Sequence, residues 1–194
     1  MAHDRGTALP AEKGRNLVRL FYALIPAERE KQGIEQWQEH LRTAVEGGRF
    51  SPPENLHMTL QFLGDVPAER CAELKSILRT AAQNTPPFFM LLDTYGWIPG
   101  KEQERLWYLT GACPEAAALT GTLGTMLMKH GFSLEEREFL PHITLGRRCR
   151  LKSGIAPAAA ESVTFRVQRL WLLESRQIHG SVVYVPVASA PLGF

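Results

Sequence analysis

Asn55-Leu56-His57-Met58-Thr59-Leu60-Gln61-Phe62-Leu63-Gly64 alternates apolar and polar side chains through most of its length. A strand has a side-chain period of two, so Leu56, Met58, Leu60 and Phe62 share one face while His57, Thr59, Gln61 and Leu63 share the other. Such a strand lays one face on a core and leaves the other partly open. Phe50-Ser51-Pro52-Pro53-Glu54 is a turn-rich entry to it, and Gly64-Asp65 is expected to turn the chain at its end. The pattern returns later. Phe139-Leu140-Pro141 leads into His142-Ile143-Thr144-Leu145-Gly146, with His142 and Thr144 on one face and Ile143 and Leu145 on the other.

Working outward, Leu17 to Ile25 is a short apolar run with β-branched and aromatic residues closed by Pro26, which predicts a strand. Ile34, Trp37, Leu41 and Val45 recur at helical spacing, predicting a helix over Glu28 to Val45 that Gly47-Gly48 ends. A second helix is expected from Pro67 to about Gln83, and a third from Ala116 to His130. Phe88 to Thr94 and Arg105 to Gly111 read as a hairpin around Pro99-Gly100. Ser162 to Glu174 and Val182 to Val187 read as a final hairpin turning at Ile178 to Ser181. Helices mixed with antiparallel strands give an α+β class. Because the two His-x-Thr strands occupy corresponding points of a roughly duplicated pattern, a pseudo-symmetric bilobal protein with a central cleft is the economical arrangement. Residues 1–14 read as a flexible leader, and 15–194 as one bilobal domain.

The chain has 194 residues, enough for a substantial core, and its 22 Lys and Arg nearly balance 20 Asp and Glu. A formal charge of +2 gives no global case for wrapping long nucleic acid, so an anionic partner must be held locally. Cys71, Cys113 and Cys149 are odd in number and widely spaced, which fits neither a disulfide framework nor a metal knuckle. With no signal-like or membrane-spanning apolar run, a cytoplasmic protein without a membrane partner is expected, acting as a monomer.

Four side chains converge if the two strands lie together: His57 and His142, which exchange protons near neutrality, and Thr59 and Thr144, which donate hydrogen bonds without a charge of their own. This set suits in-line displacement at a phosphodiester. One imidazole deprotonates water, the other protonates the departing alkoxide, and the hydroxyls hold non-bridging oxygens. Direct protonation of the leaving group makes a metal or other cofactor unnecessary. The residues alone do not say which histidine is acid and which is base.

Arg19-Leu20-Phe21, the Asn55 to Gly64 stretch and Pro141-His142-Ile143-Thr144-Leu145-Gly146-Arg147 resemble the two-histidine (2H) phosphoesterases, specifically the RNA 2',3'-cyclic phosphodiesterases, also called 2'-5' RNA ligases. Leu173-Glu174-Ser175 and Gly180-Ser181-Val182-Val183-Tyr184 resemble that family's final hairpin. The resemblance runs from about Asn16 to Leu192. It implies two antiparallel sheets flanking a cleft with helices outside, and opening of an RNA 2',3'-cyclic phosphate to a 2'-phosphomonoester. It also implies His57 as proton donor, His142 as proton acceptor, and Thr59 and Thr144 as phosphate contacts. A reverse, 2'-5' joining reaction and RNA ends such as those of tRNA fragments come with it. Hydrolysis of small cyclic nucleotides such as ADP-ribose cyclic phosphate, and non-catalytic binding of RNA ends, are the alternatives.

Arg147, Arg148, Arg150 and Lys152 form a basic cluster just past Thr144. Arg147 is expected to bind phosphate, and Arg148 and Arg150 to contact RNA, against the plainer reading of a solvated loop. Gln61 shares the face of His57 and Thr59 and is a further candidate contact. Trp97, where the family usually has phenylalanine, reads either as an apolar or base-stacking wall or as a core plug. His130 and His179 are expected to serve local structure. Asp65 and Asp93 lack the clustered carboxylates of a two-metal site, and no glycine loop of a nucleotide-binding type is present.

Overall fold

The computed structural model describes residues 16–134 and 138–193, so the leader over residues 1–14 lies outside the described residues. Strand β1, Leu17–Leu24, is buried on both faces from Leu20 onward. Leu20, Tyr22 and Leu24 enter the main core, while Phe21 and Ala23 join Leu173 in a small cluster on the opposite face. Helix α1, Glu28–Ala44, buries Ile34, Trp37, Gln38, Leu41 and Ala44. Beyond it, two short strands, β2 (Val45–Glu46) and β3 (Arg49–Phe50), flank the expected Gly47-Gly48 break. Both glycines have positive φ, 65° and 92°, which a side chain resists.

Strand β4, Met58–Pro67, runs straight through Gly64-Asp65, where the sequence predicts a turn. Its register against β1 steps from Leu20↔Gly64 to Phe21↔Phe62, so one residue bulges, and Gly64 takes the positive φ of 68° there. The glycine bends the strand instead of ending it. A short 3₁₀ turn, Ala68–Arg70, then precedes α2, Cys71–Gln83, which starts a little later than expected.

The next hairpin differs from the sequence expectation in partnership. Strand β5, Phe88–Leu92, leaves to pair elsewhere, and the hairpin is built by β6 (Thr94–Pro99) and β7 (Arg105–Thr110). Helix α3, Pro114–Lys129, follows. Strand β8, His142–Leu151, extends beyond Gly146 to include the basic cluster as far as Arg150. The single strand predicted over Ser162 to Glu174 is two strands, β9 (Val163–Val167) and β10 (Arg169–Ile178). Val163, Phe165 and Val167 are buried before the break and Leu170 and Leu172 after it, so the burial phase flips at Gln168, where the chain changes sheets. Strand β9 pairs with β5, while β10 turns through His179-Gly180 into β11, Ser181–Pro191.

All pairings are antiparallel. The path β11-β10-β1-β4 forms one lobe and β8-β7-β6 the other, with β2 and β3 on β8; a separate β5-β9 ribbon makes a second sheet. The two lobes join along the β4–β8 seam at one register pair, Met58↔Ile143. Helix α1 packs on β8 and β9, α2 on β10 and β11, and α3 on β4 and α2. One continuous core cluster runs beneath both lobes, from Leu20 and Tyr22 to Leu145 and Cys149. No helix among the described residues is long and apolar enough to cross a membrane.

Candidate active site

Met58 and Ile143 are fully buried register partners, so the residues beside them project from the opposite face, into the cleft. In an antiparallel pair the residue before one partner lies across from the residue after the other. His57 therefore sits toward Thr144, and His142 toward Thr59. The paired motifs expected from sequence meet, and they meet diagonally.

Each imidazole is oriented by its own chain. His57 Nδ1–H donates to the Asn55 carbonyl at 2.7 Å, and His142 Nδ1–H donates to the Leu140 carbonyl at 2.8 Å. In both cases the acceptor is two residues upstream. A carbonyl only accepts, so each Nδ1 keeps its hydrogen and Nε2 is the ring atom that can gain or lose a proton. Thr59 Oγ1 lies 3.1 Å from His57 Nε2, within hydrogen-bond reach of that nitrogen.

The two histidines differ in their walls. The His57 ring lies 5.1 Å from Phe21 and 4.6 Å, edge to face, from Tyr184 on β11. Asn55 also donates through its side chain to the Val182 carbonyl, tying the β10–β11 hairpin to the turn that anchors His57. Burial among these groups pulls the His57 pKa down to about 4; the Asn55 carbonyl opposes the shift, and the positive charges of His142 and Arg147 add to it. His57 is thus neutral at pH 7 in the ligand-free protein. His142 packs against Tyr108 at 5.2 Å. Tyr108 in turn lies across Gly96 of β6, where a Cβ would run into its ring.

Behind the cleft, Gln38 on α1 is 3% exposed and donates to the Ser51 and Leu145 carbonyls, each at 2.8 Å. One amide thereby fastens the loop that leads to His57 to the strand that carries His142. Sequence reasoning missed this residue and the aromatic walls. A signal existed for Gln38, which stands four residues after Ile34 and three before Leu41, a polar residue on an apolar stripe.

The other predicted residues divide. Arg147 is exposed, beside the site, and its charge reaches His57. Arg148 and Arg150 are exposed on β8, not on a loop, and Arg148 has a positive φ of 56° at a strand irregularity. Lys152 donates to the Thr43 carbonyl at the end of α1. Gln61 donates to the Thr120 carbonyl of α3 at 3.2 Å, which makes it a tie between β4 and α3. Trp97 is 47% exposed, which removes the core-plug reading. Its register partner is the buried Trp107, whereas Tyr108 pairs with Thr144, so Trp97 lies on the face away from the histidines, stacked under Arg105 at 4.1 Å. His130 pairs with Glu73 at 2.7 Å, and His179 occupies a turn with φ 49°. Among the described residues, no three His, Cys, Asp or Glu side chains group as metal ligands.

Two antiparallel lobes that each present a carbonyl-anchored histidine and a threonine to one cleft define a two-histidine phosphoesterase. Comparison with known proteins narrows the class. The pattern of the family described as LigT like Phosphoesterase matches residues 25–108. The RNA 2',3'-cyclic phosphodiesterase of Escherichia coli K12 is 31% identical over 172 residues, covering 87% of this chain and 93% of that protein. That of Methanothermobacter thermautotrophicus is 31% identical over 131 residues, 67% of this chain and 71% of its own. The crystal structure of E. coli LigT in its apo form superposes with a TM-score of 0.73 at 27% identity, over 92% of this chain and 99% of that one. The same protein complexed with 3'-AMP gives 0.74 at 27% identity, over 91% and 99%. This chain belongs to the LigT-like RNA 2',3'-cyclic phosphodiesterase family of the 2H phosphoesterases.

Proposed function

We propose that this protein opens the 2',3'-cyclic phosphate at an RNA end to give a 2'-phosphomonoester. The observation that carries the reading is the twin anchoring of His57 and His142 by upstream carbonyls, which leaves two Nε2 atoms on one cleft face across the Met58–Ile143 pair. Water enters on the His142 side and gives up its proton to Nε2. The P–O3' bond breaks on the His57 side, and His57 protonates the departing 3'-oxygen; the 2'-oxygen keeps the phosphate. Thr59, Thr144 and Arg147 hold the non-bridging oxygens.

Neutral His57 must first gain a proton. The phosphodiester anion favours the charged imidazole, so His57 takes up a proton from solvent as the substrate binds. A 5'-hydroxyl in place of water, taken through the same steps, yields a 2'-5' linkage. The reading includes a monomer working in the cytoplasm on RNA ends, tRNA fragments among them, with Arg148 and Arg150 as outlying phosphate contacts.

The test is product identification from a short labelled RNA with a 2',3'-cyclic phosphate end, in EDTA, across pH 5 to 8. A 2'-phosphate is expected from the native protein. No turnover at any pH, or near-native turnover by either His57→Ala or His142→Ala, defeats the reading.

A further inference from the structure

Where two strands of this protein set charged residues opposite each other, the signs are usually complementary. Arg19 of β1 stands opposite Asp65 of β4 and comes within 3.8 Å of it, and Arg150 of β8 stands opposite Glu46 of β2. One described pair departs from this pattern: Arg49 of β3 is the register partner of Arg147 of β8. Like charges directly opposite destabilise a ladder. Both arginines are exposed, and no carboxylate among the described residues lies within ion-pair distance of either.

The pair faces the cleft. Strand β3 has two residues, of which Phe50 pairs with Gly146, packs on the main core and lies under Arg42 of α1. Side chains alternate along a strand, so Arg49 projects from the other side of the sheet, the side of the histidines. Arg147 shares that side as its register partner. The positive charges that act on His57 are those of His142 and Arg147, which places Arg49 farther out along the same face.

Register partners lie about 4.5 to 5.5 Å apart at Cβ, so the two guanidiniums repel each other until anions reach them. The reacting cyclic phosphate is a monoanion, and Arg147 with the two threonines already serves its oxygens. A second arginine calls for a second anion. In an RNA end the next anion is the phosphodiester on the 5' side of the terminal nucleotide; a free cyclic mononucleotide has none.

We propose that Arg49 binds this upstream phosphodiester and thereby selects chain ends over free 2',3'-cyclic nucleotides. The subsite rests on the RNA-end reading, with Arg147 on the reacting phosphate. Arginine meets two phosphate oxygens at once through its planar fork, which suits an exposed contact that must hold a mobile chain.

The experiment uses two dinucleotides with the same 2',3'-cyclic phosphate end, deoxyadenosine joined to adenosine through an ordinary phosphodiester or through an uncharged methylphosphonate. A charge-assisted contact of the usual strength predicts kcat/KM about tenfold to a hundredfold higher for the charged link in native protein. Arg49→Gln should remove most of this preference, and Arg49→Lys should restore part of it. Because the substitution also relieves the repulsion, ligand-free Arg49→Gln should melt no lower than native protein. No preference in native protein, or a preference undiminished in Arg49→Gln, overturns the proposal; so does a lower Tm, which would give Arg49 a partner within the fold. If native protein turns over neither dinucleotide, the catalytic reading fails. Calorimetric titration of the two corresponding dinucleotide 2'-phosphates, in native protein and Arg49→Gln, then decides whether Arg49 reads the upstream charge.

Discussion

His57 and His142 each hydrogen-bond the carbonyl two residues upstream, Asn55 and Leu140, at 2.7 and 2.8 Å, and so present the same nitrogen to the cleft from opposite lobes. The site is two copies of one local device facing each other.

Removing either proton-transfer group should slow the chemical step by about 10² to 10⁴. His57→Gln and His142→Gln are expected to lower kcat by such factors with modest change in KM. The double variant should be far less impaired than the product of the two, since the groups act on one displacement. Steady-state kinetics on a cyclic-phosphate RNA decide it, and multiplicative losses would show that the imidazoles work independently.

Acid should destabilise the fold through His57. Its pKa, about 4 in the folded protein, lies below the ordinary histidine value of about 6.5. Between those values the unfolded chain binds a proton that the native state refuses, so stability falls as pH drops through the window and is fully retained above it. The loss is on the order of 2 to 3 kcal/mol. Urea unfolding from pH 4 to 7 should show this slope in native protein and a flatter one in His57→Gln; equal slopes would contradict the assignment.

Gly96→Ala should disturb His142 without touching it. The new methyl meets the Tyr108 ring, and Tyr108 is the aromatic neighbour of His142. Overpacking of this kind costs about 1 to 3 kcal/mol, and a fall in kcat should accompany it. Adding Tyr108→Ala relieves the clash, so the double variant should unfold at a higher temperature than additivity of the singles predicts. Strict additivity in thermal melts would mean that the two residues are not in contact.

Gln38→Met keeps volume but removes both donors, leaving the Ser51 and Leu145 carbonyls without this partner. A stability loss of about 1 to 3 kcal/mol is expected, together with a lower kcat at nearly unchanged KM. Calorimetry and kinetics together test this. A variant with native kcat would confine Gln38 to holding the fold.

The elements bearing the histidines were legible because both strands have one buried and one open face, and the two-residue period writes itself into Leu56, Met58, Leu60 and into Ile143, Leu145. Legibility failed where a neighbour decided the outcome. Gly64-Asp65 is turn-like in isolation, yet pairing with β1 carries the strand through it by a bulge. Trp97 sits near the site in the chain but on the wrong face of its hairpin, because the phase of β6 is set by its partner Trp107. The break at Gln168 was written in the sequence as a change from odd to even apolar positions, a signal that a run of strand-forming residues conceals. A hollow beside His57 is lined by Ile25, just past β1, and by Tyr184 and Pro186 of β11, distant segments whose meeting no local pattern encodes.

The upstream carbonyl anchors also bear on how the protein comes into being. Each imidazole acquires its hydrogen placement within its own short segment, as soon as the turn before the strand closes. Neither half does chemistry until β4 and β8, far apart in the chain, find each other. Long-range pairing of this kind closes late in folding. During refolding, the return of turnover is therefore a stopwatch for the seam between the lobes, while the imidazole signals of the two turns become native-like earlier.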